Sequence, residues 1–389
     1  MIATKKDRDI LRDLVLGFAP LQVVPQDNIL SNPVISLLLF YVPFFVFLLY
    51  GQRFQTMLIL NEISRSVKKL QAMKERSRKE TIDYLTTTVG QSPEISGRVD
   101  QFLEYFTIMP VDIDPSGVMQ KLEHVVTLRD ERVRAEIRKI APLVDPVKTS
   151  AMENMIEVAT ALNYIYKIVR HFYILGDRTK SVYVLVQLQM IMPMILQEAD
   201  ALIGALDALK QVQPLGDGIG PMIVGKMMLG KEKKTPARDT VYSEAIVNGR
   251  TLYLLKAEGP GGNVGQPGTA IQKMIEETGI KLNAIIMIDA ALKLEGEKSG
   301  EIAEGIGAAI GGVGVDRFKI EAVATKHNLP LYAIVVKQSI VEAISVMKKE
   351  IADSAEKVQT LLTRVIEEKT KEGDSVLVVG VGNSLGVGQ

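Results

Sequence analysis

The sequence predicts a C-terminal α/β domain with a mainly parallel sheet, preceded by a transmembrane helix, a helical stalk and a helical bundle. Three observations carry this. A run of 25 residues between Asp27 and Arg53 holds no formal charge. From Arg53 to about residue 210, long segments with few glycines place apolar residues at helical spacing. After Gln213, short apolar runs alternate with helix-patterned segments and glycine-rich loops, as strand–helix units do.

The centre of the charge-free run, residues 33–50, is almost entirely Leu, Val, Ile, Phe and Tyr. About 20 apolar residues cross a bilayer as a helix, because hydrocarbon leaves a backbone amide no other partner. Pro43 is compatible with such a helix, and Tyr41, Tyr50, Gln52 and Arg53 suit its interfacial end. The span is assigned to 32–52. Arg53, Arg65, Lys68 and Lys69 follow closely and the stretch just before it has no Lys or Arg, so residues 1–31 are expected outside and the rest in the cytoplasm. Lys5, Lys6 and Arg8, farther from the span, pull the other way. The run is too long for a signal peptide and no small-residue cleavage site follows it. The expectation is a single-pass protein of the cell membrane with lipid as a partner.

The 46 basic and 46 acidic residues balance, which gives no general attraction to nucleic acid. The absence of cysteine excludes disulfides, thiol nucleophiles and thiolate metal sites.

Residues 53–92 read as a basic stalk. Leu60, Ile63, Val67 and Leu70 make a short seam of coiled-coil spacing, which either pairs copies into a homo-oligomer or is one face of a solvated helix. Lys68 to Lys79 can touch anionic headgroups. A helical domain is expected over 93–210. Within it Asp112 and Asp114, beside prolines, suit a turn better than a cation site, and His124 lacks a second ligand at metal spacing. Residues 151–175 and 181–209 are apolar helices. The second opens with 17 uncharged residues, 181–197, and its Gln187, Gln189 and Gln197 favour a buried bundle helix over another span.

The domain 211–389 has apolar runs at 252–257, 284–289, 331–336 and 375–379, apolar throughout as strands covered on both faces are. Helices are expected over 269–278, 317–327 and 340–371. Four glycine-rich loops lie among them, at 216–221, 259–268, 305–314 and 380–388, and none matches a P-loop or a dinucleotide fingerprint. Tight turns explain many of these glycines. The loop holding Gly259, Gly261, Gly262, Asn263, Gly265 and Gly268 leads into a helix that Thr269 and Gln272 would cap as a box, a place suited to an anion or oxyanion. Asp217 sits between glycines before a helix. Asp289 ends an apolar strand, where open α/β sheets bind ligands. Such a pair can activate water or hold a divalent cation, of unknown identity. Glu295, Glu297, Glu301 and Glu304 follow in a loop and read as solvated.

Two resemblances add to this. Residues 106–118, 213–221 and 259–268 are similar to those of an archaeal family of membrane-anchored proteins described as a domain of unknown function, which implies the topology and no activity. The α/β part resembles, remotely, the hydrogenase-maturation endopeptidases and the spore germination protease. These share a strand ending in Gly-x-Gly-Asn, here Val378 to Asn383, and an acid in an Asp-x-x-Gly-Pro stretch, here Asp217 to Pro221. The two stand in reversed chain order, which implies a circular permutation. The second acid of those peptidases is similar to Asp289. No histidine stands where the nickel-sensing members place one, and His327 reads as a turn residue. The permutation requires 375–379 to lie inside the sheet, and 380–383 to approach 216–221. Two functions stay open: a homo-oligomeric assembly or scaffold protein, and a membrane-tethered hydrolase, a peptidase among the options, using Asp217 and Asp289 with Asn383 near them.

Overall fold

The computed structural model describes residues 33–105, 107, 117–312 and 314–389; Asp112 and Asp114 lie outside them. The chain divides into two compact units, Met1–Ile59 and Leu60–Gln389. In the first, helix α1 (Pro33–Val89) begins and continues without a break through Pro43 into the second. Leu37, Phe40, Val42, Phe44 and Phe54 are exposed there, an apolar surface that water does not favour.

In the second unit, residues 60–89 of α1 join α2 (Glu94–Leu103), α3 (Val118–Ile140), α4 (Pro146–Thr179) and α5 (Val182–Gln211). Two caps are set locally. Asp145 accepts the Val147 N–H ahead of Pro146, and Ser181 accepts the Val184 N–H. Leu85 packs with Ile95, Val99, Phe102, Ile137 and Met152. Gln189 Nε2 donates to Glu62 Oε2 at 2.5 Å and Lys69 meets Asp200 at 2.7 Å, so α1 and α5 run parallel.

This packing corrects two expectations. The proposed stalk is a bundle helix: Ile63 and Leu70 are each 1% exposed, so the seam is covered by the chain itself and no coiled coil between copies is needed to bury it. Conversely, α5 is not a fully buried core helix. Tyr183, Met190, Ile191 and Met194 are exposed, and among the described residues α5 is the helix long and apolar enough to cross a membrane.

The sheet strands are β1 (Lys234–Ala237), β2 (Thr240–Val247), β3 (Arg250–Ala257), β4 (Ala284–Leu292), β5 (Ile302–Ile306), β6 (Leu331–Gln338) and β7 (Ser375–Gly380), in the order β1-β2-β3-β7-β4-β6-β5. The pairings β3–β7, β7–β4 and β4–β6 are parallel and the other three antiparallel, so the expected mainly parallel sheet is a mixed one. The unforeseen β2–β3 hairpin turns on Asn248 and Gly249, with φ of 46° and 73°, a geometry that folds adjacent strands back antiparallel. Its antiparallel pairing follows from the two-residue connection, which is too short for a crossover.

The last strand is central. Alternate residues of β7 and β4 feed two cores, as the two-residue period of a strand requires. Val376, Val378, Ile286 and Ile288 pack towards α6 (Ile219–Met228) and α10 (Lys349–Lys369). Leu377, Val379, Ile285 and Met287 pack towards α7 (Pro267–Glu276) and α8 (Val315–Lys326). Each such side chain contributes roughly 1.5–3 kcal/mol on burial. The single helix expected over 340–371 is instead α9 (Ile340–Ile344) and α10. The backbone between them is used elsewhere: Ser345 O accepts from Gly216 N–H at 3.0 Å, and Met347 N–H donates to Pro214 O at 2.8 Å.

Because the α1 seam is an internal surface, Leu70→Ala should destabilise the chain by about 2–5 kcal/mol. The midpoint of denaturant unfolding in detergent should fall by the same amount at every protein concentration. A loss that grows on dilution would instead mark a seam between copies.

Candidate functional site

The carboxyl ends of β4 and β7 lie side by side, with Ile288 opposite Gly380. Val381 N–H extends this pairing by donating to Ile288 O at 2.8 Å. Asp289 is the next residue of β4. Above these ends a 3₁₀ turn, Gly216–Gly218, carries Asp217 into α6. Helix α6 can come this close because of Gly220, where a Cβ would fall 2.4 Å from the carbonyl oxygens of both Ile288 and Val381. The partner contact is Gly382, at φ 127°, where a Cβ would meet Asp217 O at 2.0 Å. Asn383 N–H then donates to Asp217 Oδ2 at 2.8 Å. Residues 380–383 and 216–221 therefore interlock, although they stand at opposite ends of the α/β domain.

Asp217 and Asp289 line one cavity of about 420 Å³, together with Gly265, Asp316, Lys319 and Gly382. Helix α3 closes it with Glu123, Arg129 and Asp130. Burial raises the carboxyl of Asp217 above the usual carboxylate range, opposed by the Asn383 N–H. Asp289 is pushed up to about 7, by burial first and then by the charge of Asp217; N–H donors from Ala290 and Gly311 oppose the rise. Asp316 is raised by burial as well. Both acids thus have their proton affinity raised in one cavity, that of Asp289 in part by the charge of Asp217.

The other predicted residues are placed differently. The side-chain oxygen of Asn383 accepts from Leu385 N–H at 2.9 Å, so its contribution to the site is its backbone. Several polar groups of the 259–268 loop are engaged by residues 384–389. Gly259 N–H donates to Gln389 Oε1 and Gly259 O accepts from Gln389 Nε2. Ser384 Oγ reaches the carbonyls of Gly261 and Asn263, and Gly262 O accepts from Asn154. Of the loop glycines, Gly265 borders the cavity, with Thr269 beside it, while Gly259, Gly261, Gly262, Asn263 and Gly268 do not. The expected Thr269–Gln272 capping box is absent. Pro267 begins the helix two residues earlier, Gly268 N–H is capped by Asp316 Oδ1 at 2.8 Å, and Thr269 Oγ1 accepts from Lys319. The helix N-terminus thus already holds a carboxylate of this chain.

Sequence reading missed Asp316, Lys319, Glu123, Arg129 and Asp130. Asp316 follows Gly314 in the first turn of α8, a discernible signal for a helix start. The α3 residues carry none, since a charged helix looks the same whether it faces water or a cavity. Among the described residues no group of three or more His, Asp or Glu side chains is arranged to hold a metal ion. A divalent cation would have Asp217 and Asp289 as its carboxylate ligands and would need water for the rest of its shell.

Two family models match the chain. A "Protein of unknown function (DUF1512) N-terminal domain" covers residues 37–212, and a "Domain of unknown function (DUF1512) C-terminal" covers residues 215–388. No curated protein and no solved structure matches it.

The shifted carboxyl of Asp289 has a measurable consequence. The folded state keeps this proton up to about pH 7, whereas an unfolded chain releases it near 3.8. Its contribution to stability is full below about pH 4 and is lost as the pH rises through 7. Asp289→Asn should therefore gain stability relative to the parent over that window, by about 1.4 kcal/mol per pH unit at most. Urea unfolding at a series of pH values reads the difference directly; a gap independent of pH would place Asp289 in an ordinary, solvated setting.

Proposed function

The chain belongs to the DUF1512 family, and for this member we propose a membrane-tethered hydrolase in which Asp217 and Asp289 act as an acid–base pair. The observation that supports it is the shared cavity: both acids line it, with their proton affinities raised. In this reading one carboxylate takes a proton from water as the water attacks a carbonyl carbon. The other, still protonated, donates to the carbonyl oxygen or to the leaving group, and the pair ends with its proton exchanged between partners. Groups of this kind contribute about 10²–10⁴-fold to a rate. Lys319 and Arg129, which also line the cavity, offset negative charge as it develops. The substrate class is an amide or ester, with a peptide bond preferred on the resemblance of residues 216–221 and 378–383 to the hydrogenase-maturation and spore germination peptidases. Homo-oligomerisation through the stalk drew on a bare Leu60–Leu70 seam; with Ile63 and Leu70 buried inside the chain, the seam no longer supports it.

The tether in this reading is the apolar start of α1, with exposed Phe40, Phe44 and Phe45 facing lipid and the α/β domain on the Lys/Arg-rich, cytoplasmic side. A thiol placed at Asn248, on the exposed β2–β3 turn of this cysteine-free chain, should react with an impermeant maleimide in inside-out vesicles and be protected in right-side-out ones. The reverse pattern would invert the topology.

For the chemistry, the full chain in detergent should cleave members of a fluorogenic peptide and ester library. Asp217→Asn and Asp289→Asn should each lower kcat/KM by at least about 10²-fold while leaving circular dichroism unchanged. Activity should fall as the pH rises past about 7, where Asp289 loses its proton. Retained activity in Asp217→Asn would sink the mechanism.

A further inference from the structure

Helix α5 is apolar on two sides. Its inner side, with Leu185, Leu188 and Met192, is buried in the bundle. Its outer side carries Tyr183, Gln187, Met190, Met194 and Gln197, all exposed, and Tyr183, Met190 and Met194 are each at least 70% so. The spacing is four, three, four and three residues, the repeat of a coiled-coil seam. The outer side of a bundle helix is normally charged. Here no charge falls between Ser181 and Gln197.

The neighbours of α5 argue against lipid as its cover. Gln189 donates to Glu62, Asp200 pairs with Lys69, and Lys210 pairs with Glu80, so α5 runs beside a charged stretch of α1 and in the same direction. Glu62 stands ten residues beyond the span assigned to 32–52, a length of about 15 Å as helix. Tyr183 precedes Gln189 by only six residues, or about 9 Å, which leaves it short of the hydrocarbon. Met190, Met194 and Gln197 lie farther out, in water, where an apolar stripe favours a protein partner.

The stripe suits a second copy of this chain. Copies anchored in one bilayer share the direction of α1 and therefore of α5. A two-fold axis along the membrane normal then sets each residue of the stripe opposite itself. Like charges so opposed would repel, and the stripe has none. An amide both donates and accepts, so Gln187 and Gln197 can each pair with their own counterpart. The acids beyond the stripe are turned aside: at about 100° per residue, Glu198 and Asp200 stand roughly 60° and 100° to either side of Tyr183, and Asp200 meets Lys69 of its own chain. Little more than two heptads is short for free helices. A shared bilayer, however, fixes the orientation of both copies beforehand and so removes part of the entropy cost of pairing.

We infer that α5 pairs in parallel with α5 of a second copy through Tyr183, Gln187, Met190, Met194 and Gln197. This surface is distinct from the Leu60–Leu70 seam, which the chain covers itself, and the site cavity is lined by other segments. The parallel sense rests on the proposed α1 tether; the stripe itself does not.

The chain has no cysteine, so single thiols report contacts directly. Full-length protein in phosphatidylcholine vesicles is oxidised with copper phenanthroline, and flotation of the vesicles reads the tether separately. Met190→Cys and Met194→Cys should each give a disulfide-linked dimer. Asp200→Cys, on the side turned to α1, and Ile246→Cys, exposed on β2, should not. Energy transfer between dyes on Ile246→Cys then reads association without oxidation. Met190→Glu and Met190→Lys, each alone, should weaken association at least tenfold, because like charges meet across the axis, and mixing the two variants should restore it. A lipid contact or a different protein partner would give no recovery on mixing. The inference is overturned by that result, by the absence of a disulfide at both 190 and 194, or by a disulfide at only one of them, as an antiparallel crossing gives.

Discussion

The insertion of the last strand, β7, between β3 and β4 is the constraint on which the α/β domain depends. Without it the sheet has no centre, because β3 and β4 touch each other only through β7. Its Val376, Leu377, Val378 and Val379 are fully buried and serve both cores. A central β7 also fixes the position of the residues after it. Val381 continues the pairing, Gly382 passes against Asp217, and Asn383 donates to that carboxylate. Ser384 to Gln389 then tie down the segment just beyond β3. The fold is thus closed by residues 375–389, and the candidate site sits at the closure.

That closure explains the electrostatics. Asp217 and Asp289 are held by backbone, one by Asn383 N–H and the other by Ala290 N–H. Backbone donors favour the charged form, yet for both acids burial outweighs them. A carboxylate with two good donors in water-accessible surroundings would titrate low; the same group walled by β-strand ends and glycines titrates high. Glu342 shows the opposite balance. It is also buried, but Ser339 N–H, Ser299 and Lys348 all stabilise its anion, and its carboxyl is held down at about 2. At Glu342, which is less deeply enclosed, donors to the anion outweigh burial; at the cavity acids, more deeply enclosed and with fewer donors, burial outweighs them.

The helical part divides its apolar surface unevenly. α1 turns its stripe inward, from Ile63 through Leu70 to Leu85, against neighbours of the same chain. α5 has more apolar surface than the bundle can cover, and α4 adds Tyr164 and Phe172 to the exposed share. In the α/β domain the corresponding surplus is absorbed, since the central strands have helices on both faces.

Elements with a local signal were legible in the residues themselves. The charge-free run, the helical periodicities and the four apolar strands at 252–257, 284–289, 331–336 and 375–379 are each written in consecutive residues. The Asn248–Gly249 turn is local too, a dipeptide that specifies a hairpin and could have revealed β2. The approach of 380–383 to 216–221 was legible through a resemblance, not through any local pattern. The rest was settled only by folding. The Leu60–Leu70 seam has the same spacing whether its partner is another copy or the same chain, and packing chose the latter. The helix expected over 340–371 breaks because 345–347 is needed to hold 214–216, a partner far away in sequence. The 259–268 loop looked free to bind an anion, but Gln389 took the Gly259 amide and Asp316 the Gly268 amide at the helix start. Asp289 titrates near 7 because of its surroundings in space, and Glu123, Arg129 and Asp316 join it there for the same reason. Burial and proximity are properties of the folded arrangement, and no run of neighbouring residues encodes them.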